Sequence, residues 1–91
     1  MEVDIKMESK IDLKSQLGQE LKRMYDKAPR NEQVTMVHLF GIKNGETIVS
    51  NGLKASDIVQ EAGINDSYKT EVSKGIKLAA YVDIKTGVIL P

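Results

Sequence analysis

The spacing of hydrophobic positions changes several times along the chain, and each change predicts a different element. Near the start, Val3, Ile5 and Met7 alternate with charged residues. This period of two is typical of a half-buried strand. So short a strand is not stable alone and needs a partner. We therefore predict an N-terminal strand or arm over residues 1–12.

The spacing becomes helical from Ser15 to about Lys27. Leu17 and Leu21 recur four residues apart, with charges between them, and Met24 or Tyr25 continues the same face. The helix is expected to end at Ala28-Pro29, because the residue before a proline avoids the α conformation.

A second helix is predicted from NEQVTMVHLFGIK, with Asn31 as its cap. Its inward face would carry Val34, Val37 and then Phe40 or Gly41. Several of these residues are β-branched, so a strand remains an alternative. Asn44-Gly45 is expected to stop the element. The next residues, 46–51, are compatible with a strand or with a continued helix.

Two further helices meet at a short break. Residues 53–62 have helical spacing, and Gly63 is expected to end that helix in the left-handed conformation. Asn65 can cap the next helix, which carries Tyr68, Val72 and Ile76 on one face. The helical core is thus predicted over residues 15–80.

The last residues return to a strand pattern. Residues 81–84 and 88–90 are rich in β-branched side chains, and Lys85-Thr86-Gly87 between them is typical of a turn. This C-terminal β segment, 81–91, would pair with the N-terminal strand, act as a wing, or pair with a second copy. The predicted fold is one mainly α domain: a helix-turn-helix bundle of about four helices with a small β element formed by both terminal segments.

Composition removes several classes of function. The chain of 91 residues has no cysteine, which excludes disulfides and thiolate chemistry, and its formal net charge is zero. No apolar run is long enough to span a bilayer, and the start does not resemble a signal peptide. We therefore expect a cytoplasmic protein that does not act on membranes.

Candidate catalytic chemistry is sparse. His38 is the sole histidine and lies among apolar residues, which favours a position at the edge of the core. The segment from Gly41 to Gly45 contains a lysine, but it lacks the Gly-Lys-Ser/Thr ending of a phosphate-binding loop. The carboxylates alternate with lysines, as on a solvated surface. We expect no enzyme activity, no cofactor, no metal site and no small-molecule substrate.

The most specific signal is the spacing from Leu53 to Gly75, which is that of a helix-turn-helix. Ile58 and Ala62 would face inward from the first helix, Ile64 would fill the corner, and Val72 would pack the second helix against the first. The outer face of the second helix would then carry small polar residues and lysine, which suit base edges and phosphates.

This stretch, GLKASDIVQEAGINDSYKTEVSKG, resembles the helix-turn-helix of the Cro and lambda-repressor-like (Xre-type) regulators, without a gap from Gly52 to Gly75. Residues 28–43 are also similar to small bacterial helix-turn-helix-like proteins. The resemblance implies a second helix that starts near Asn65 and enters the DNA major groove. It departs from the family at Lys54 and Ala55, where a capping serine and a backbone-holding glutamine are usual. The implied DNA-binding residues are Asn65, Asp66, Ser67, Thr70, Lys74 and Lys77.

Two further positions depart from the family pattern: Lys69, where an inward aliphatic residue is usual, and Asp66, where a glutamine is common. The resemblance predicts a DNA-binding transcriptional regulator whose partner is double-stranded DNA. A homodimer would add affinity to a weak half-site. The alternative is a protein-interaction or adaptor module on the same scaffold without DNA binding.

Overall fold

Four helices make up the described part of the chain. The computed structural model describes residues 5–91, with side chains from Asp12 onward. The helices are α1 (Ile5–Asp26), α2 (Gln33–Ser50), α3 (Ala55–Ala62) and α4 (Tyr68–Leu78). The mainly α class with four helices is confirmed. The predicted small β element is wrong, since residues 5–91 contain no strand.

The N-terminal strand fails because the first helix begins earlier than predicted. Ile5 and Met7 lie in α1, which starts at Ile5 rather than at Ser15. Val3 lies outside the described residues. The alternation spans too few positions to specify a strand, and the good helix formers Lys6, Met7, Glu8 and Lys10 favour a helix there. Residues 5–12 therefore belong to α1.

The C-terminal hairpin is also wrong, although its turn is present. Gly87 has a φ of 93°, and the Val88 N–H donates to the Lys85 carbonyl oxygen at 3.2 Å. The flanking residues do not pair as strands. Instead Leu90 packs against the core, and the Arg23 Nε donates to the Pro91 carbonyl oxygen at 3.3 Å. Contacts with α1 thus replace strand pairing.

The predicted stop at Asn44-Gly45 is wrong, because α2 continues to Ser50. Residues 46–50, for which a strand and a helix were both compatible with the sequence, are therefore helical. The Asn44 amide donates to the Phe40 carbonyl oxygen at 3.2 Å and to a Glu20 carboxylate oxygen at 2.6 Å. Gly45 is buried in a helix contact described below. Asn44 and Gly45 prefer a turn locally, but their tertiary contacts keep both residues in the helix.

The predicted cap and one predicted inward residue of α2 are also corrected. Asn31 has a φ of 67° and lies in the preceding turn. The residue before the helix is Glu32, whose side chain makes no capping hydrogen bond. Val34 is 44% exposed, whereas Val37 and Phe40 are fully buried. The inward face of α2 thus begins at Met36 rather than at Val34.

The core consists of aliphatic residues, two methionines and one phenylalanine, and it draws on all four helices. No buried polar or charged side chain is found among the residues whose side chains are described. The buried apolar residues are Leu17, Leu21, Met24, Met36, Val37, Phe40, Ile48, Ile58, Val59, Ala62 and Val72.

Glycines bring α2 and α4 into close contact. A Cβ added at Gly41 would lie 2.7 Å from the Gly75 Cα. A Cβ added at Gly75 would overlap the His38 carbonyl oxygen, and one at Gly45 would lie 2.8 Å from the Ala79 Cβ. Since later positions on α2 meet later positions on α4, the two helices run parallel. The segment considered for phosphate binding is therefore a helix-packing surface.

A second close pair joins α1 to α3. A Cβ added at Gly18 would lie 2.5 Å from the Glu61 Cβ.

At the start of α4, the Tyr25 and Tyr68 rings meet edge to face, with centroids 5.1 Å apart and hydroxyl oxygens 3.4 Å apart. This hydrogen bond, followed by burial, raises the pKa of the Tyr68 phenol from its ordinary value of 10.0.

Candidate nucleic-acid interface

The corner between α3 and α4 forms as the sequence indicates. Gly63 follows α3 with a φ of 71°, in the left-handed region that glycine adopts without steric cost. Ile64 packs against the core. The Asn65 Oδ1 accepts the Ser67 N–H at 2.9 Å, so Asn65 caps a turn that leads into the helix. Regular helix begins at Tyr68 rather than near Asn65.

The buried residues of the corner are those predicted. Ile58 and Val72 are fully buried, and Ala62 is 5% exposed. Lys54 precedes α3 and its side chain makes no capping hydrogen bond, which agrees with its departure from the family pattern. The absence of a cap leaves the first N–H groups of α3 without a side-chain acceptor.

The six predicted DNA-binding residues are all exposed. Three of them lie on α4 at helical spacing and define what we call the outer face of α4: Thr70, Lys74 and Lys77. Asp66 lies in the turn before the helix. Ser67 lies beside this face in the preceding turn. Asn65 uses its side chain for capping, so it contributes less to the surface than its exposure indicates.

Two carboxylates reduce the positive charge of this surface. Lys69 Nζ lies 3.1 Å from an Asp66 carboxylate oxygen. Lys74 Nζ lies 3.2 Å from the Glu71 Oε2. Lys77 has no ion pair among the residues whose side chains are described. The surface therefore offers one free cation and two that are already paired.

Lys69 is exposed, with 51% of its side chain accessible. The family pattern places an aliphatic residue inward at this position. Here the close α2–α4 contact fixes α4 so that Val72 and Gly75 face inward, and Lys69 lies to one side.

Glu71 also contacts α2, which sequence reasoning missed. The His38 Nε2 donates to the Glu71 Oε1 at 2.7 Å. The hydrogen bond from His38, followed by that from Lys74, lowers the pKa of the Glu71 carboxyl from 4.5. The spacing of Glu71 and Lys74 was visible in the sequence. The contact with His38, 33 residues away, had no local signal.

A shallow groove lies between the start of α3 and the outer face of α4. It is lined by Ala55, Ser56, Lys69, Thr70 and Ser73. Sequence reasoning placed only Thr70 of these on the binding surface. Ser56 and Ser73 add hydroxyl groups, which donate to phosphate or base acceptors.

Other kinds of site are not apparent in the part of the chain that the structure describes. Within it, no group of three or more His, Asp or Glu side chains is placed to hold a metal ion. None of the four described helices is both long and apolar enough to cross a bilayer.

Comparison with known proteins gives one match. The sequence model of the HTH-like domain family matches residues 13–85, which is most of the chain and includes the corner and all of α4. No curated protein and no solved structure shows a significant match.

Proposed function

Because the chain belongs to the family of HTH-like domains, we propose that it binds double-stranded DNA and acts as a transcriptional regulator. In this proposal the outer face of α4 enters the major groove, as in the Cro and lambda-repressor-like regulators that the corner resembles. The protein would act in the cytoplasm of a bacterium and would carry out no catalysis.

The observation that carries the proposal is the two-sided character of α4. Val72 and Gly75 are buried on one side, while the opposite side presents Thr70, Lys74 and Lys77 to solvent. A helix that is anchored along one side and bears short polar groups and amines on the other suits base edges and phosphates. Asp66 can accept a hydrogen bond from the amino group of cytosine.

The test is fluorescence anisotropy with random-sequence and genomic duplexes over a range of salt concentrations. We expect weak, salt-sensitive binding. Lys74→Ala with Lys77→Ala should lower affinity several-fold and reduce the slope of log K against log salt by about one, since each phosphate contact contributes about 0.9 and Lys74 is already paired with Glu71.

The matched control is Lys22→Ala with Lys27→Ala. Lys22 forms an ion pair 3.2 Å long with Asp26 on α1, much as Lys74 pairs with Glu71. Lys27 follows α1 and is exposed. This control should bind like the wild type. If the wild type fails to bind DNA at low salt, the proposed function is wrong. If both double variants weaken binding equally, α4 is not the contact.

Exposed apolar side chains favour a second candidate, a protein-interaction role with a second copy as partner. Leu78 is 42% exposed, Tyr81 85% and Ile89 94%, all at or beyond the carboxyl end of α4. Sedimentation velocity of the wild type and of Tyr81→Ser with Ile89→Ser tests it. A dimer that the substitutions dissociate supports this role, whereas a monomer at all concentrations contradicts it.

A further inference from the structure

The carboxylates beside the outer face of α4 are not equivalent. Asp66 is 74% exposed in its pair with Lys69. Only 22% of the Glu71 side chain is exposed in its pair with Lys74. An exposed pair between flexible side chains contributes little and opens easily. The Glu71 pair is more restrained, because Glu71 is also held from α2.

Both oxygens of Glu71 are in use. Oε1 accepts from the His38 Nε2 at 2.7 Å, and the Lys74 Nζ lies 3.2 Å from Oε2 and 3.5 Å from Oε1. The carboxylate therefore bonds to a residue of α2 and to Lys74 of its own helix at the same time. These hydrogen bonds also keep the pKa of the Glu71 carboxyl below its ordinary value of 4.5, so it is anionic at neutral pH.

We propose that Glu71 is a positioning residue that holds Lys74 on α4 and withholds its charge from DNA phosphates. A phosphate that approaches Lys74 must compete with a carboxylate that His38 keeps in place. Binding that depends on phosphates alone is therefore weaker than the number of lysines on α4 indicates. This inference rests on the proposed DNA-binding function.

The variant that tests the inference is Glu71→Gln. Glutamine has nearly the same shape and keeps an oxygen that can accept from His38, so the helix contact is preserved. Loss of the negative charge frees Lys74 for phosphate. We expect affinity for a random-sequence duplex to rise about three- to tenfold, with a salt dependence steeper by about one phosphate contact.

Two controls separate this mechanism from a change in net charge. Glu46→Gln removes the same charge from an exposed position on α2 and should change affinity less than twofold. In a Lys74→Gln background, Glu71→Gln should have almost no effect, because the lysine that it would free is absent. Urea midpoints of each variant verify folding.

The outcomes distinguish the two proposals. If neither the wild type nor Glu71→Gln binds DNA at low salt, the proposed function fails. If the wild type binds and Glu71→Gln binds no better, only the positioning role of Glu71 fails. That role also fails if Glu71→Gln raises affinity by the same factor with and without Lys74, or if Glu46→Gln has an equal effect.

Discussion

α4 packs against α2 and against α3 in different ways. Its contact with α2 is the most extensive between any two described helices, whereas its contact with α3 is the least extensive. Gly41 and Gly75 let the backbones of α2 and α4 approach closely. At the corner, α3 and α4 contribute Ile58 and Val72 to the same core cluster, and both residues are fully buried.

This difference shows which helix orients the candidate binding surface. The corner brings α4 into position along the chain, but the backbone contact with α2 fixes its rotation. The outer face of α4 is exposed because Gly75 must face Gly41 and the His38 carbonyl oxygen. The surface that would meet DNA is therefore set by a helix outside the helix-turn-helix motif.

The largest expected effect is that of Gly75→Ala. The added Cβ would overlap the His38 carbonyl oxygen and lie 2.9 Å from the Gly41 Cα. Backbone atoms cannot move aside as side chains do, so overpacking should outweigh the gain of about 1 kcal/mol in helix propensity. We expect the free energy of unfolding to fall by about 2 kcal/mol, measured by urea denaturation followed by circular dichroism.

Thr35→Ala is the control for that experiment, because Thr35 is exposed on the same helix pair. It should leave the urea midpoint unchanged or raise it slightly, because alanine has a higher helix propensity than threonine. A Gly75→Ala protein as stable as the wild type would show that α2 and α4 are not in close backbone contact.

A smaller effect is expected from Gly63→Ala at the corner. No atom lies within 4 Å of the added Cβ, so the cost arises only from the φ of 71°. A left-handed conformation costs a non-glycine residue about 1–2 kcal/mol. Gly63→Asn should cost less, because asparagine tolerates this conformation. If urea denaturation showed that Gly63→Ala destabilises the protein more than Gly75→Ala does, the proposed order of the two effects would be reversed.

The smallest effect concerns the polar edge of the α2–α4 contact and depends on pH. The pKa of the Glu71 carboxyl is lowered in the folded state from 4.5, so the unfolded chain binds the proton more readily. The stabilisation is present above that value and is lost as pH falls through the lower folded pKa. The stability difference between the wild type and Glu71→Gln should therefore shrink between about pH 6 and pH 3.

Urea midpoints across this pH range provide the measurement. Glu46→Gln, at an exposed position on α2, is the control and should show no such convergence with the wild type. A difference between the wild type and Glu71→Gln that stays constant with pH would exclude the contact with His38 and Lys74 as its source.

The elements predicted correctly are those whose signals are local. Helical spacing identified the inward positions Leu17 and Leu21, and Gly63 marked the end of α3 because only its backbone conformation was needed. Gly45 was misinterpreted because its role is tertiary. The missing side chain at Gly45 lets α4 pack close to α2, and the local preference of glycine for turns does not indicate such a contact. The apolar residues after α4 have strand propensity, but no strand among the described residues pairs with them.

The candidate site shows the same division. The exposure of Thr70, Lys74 and Lys77 followed from helical spacing, because the opposite positions had to be buried. The electrostatic character of the surface could not be predicted in the same way. It depends on His38, which contacts Glu71 only after α2 and α4 have come together.

The helix pairing also has a mechanical consequence. Gly18 brings α1 close to α3, and Gly41 with Gly75 does the same for α2 and α4. The two helices of the corner therefore belong to different close-packed pairs. A motion that changes the angle between α3 and α4 must slide one pair over the other across the aliphatic core. Hydrogen exchange should then resolve two cooperative units, α1 with α3 and α2 with α4, with Gly63 at the hinge between them.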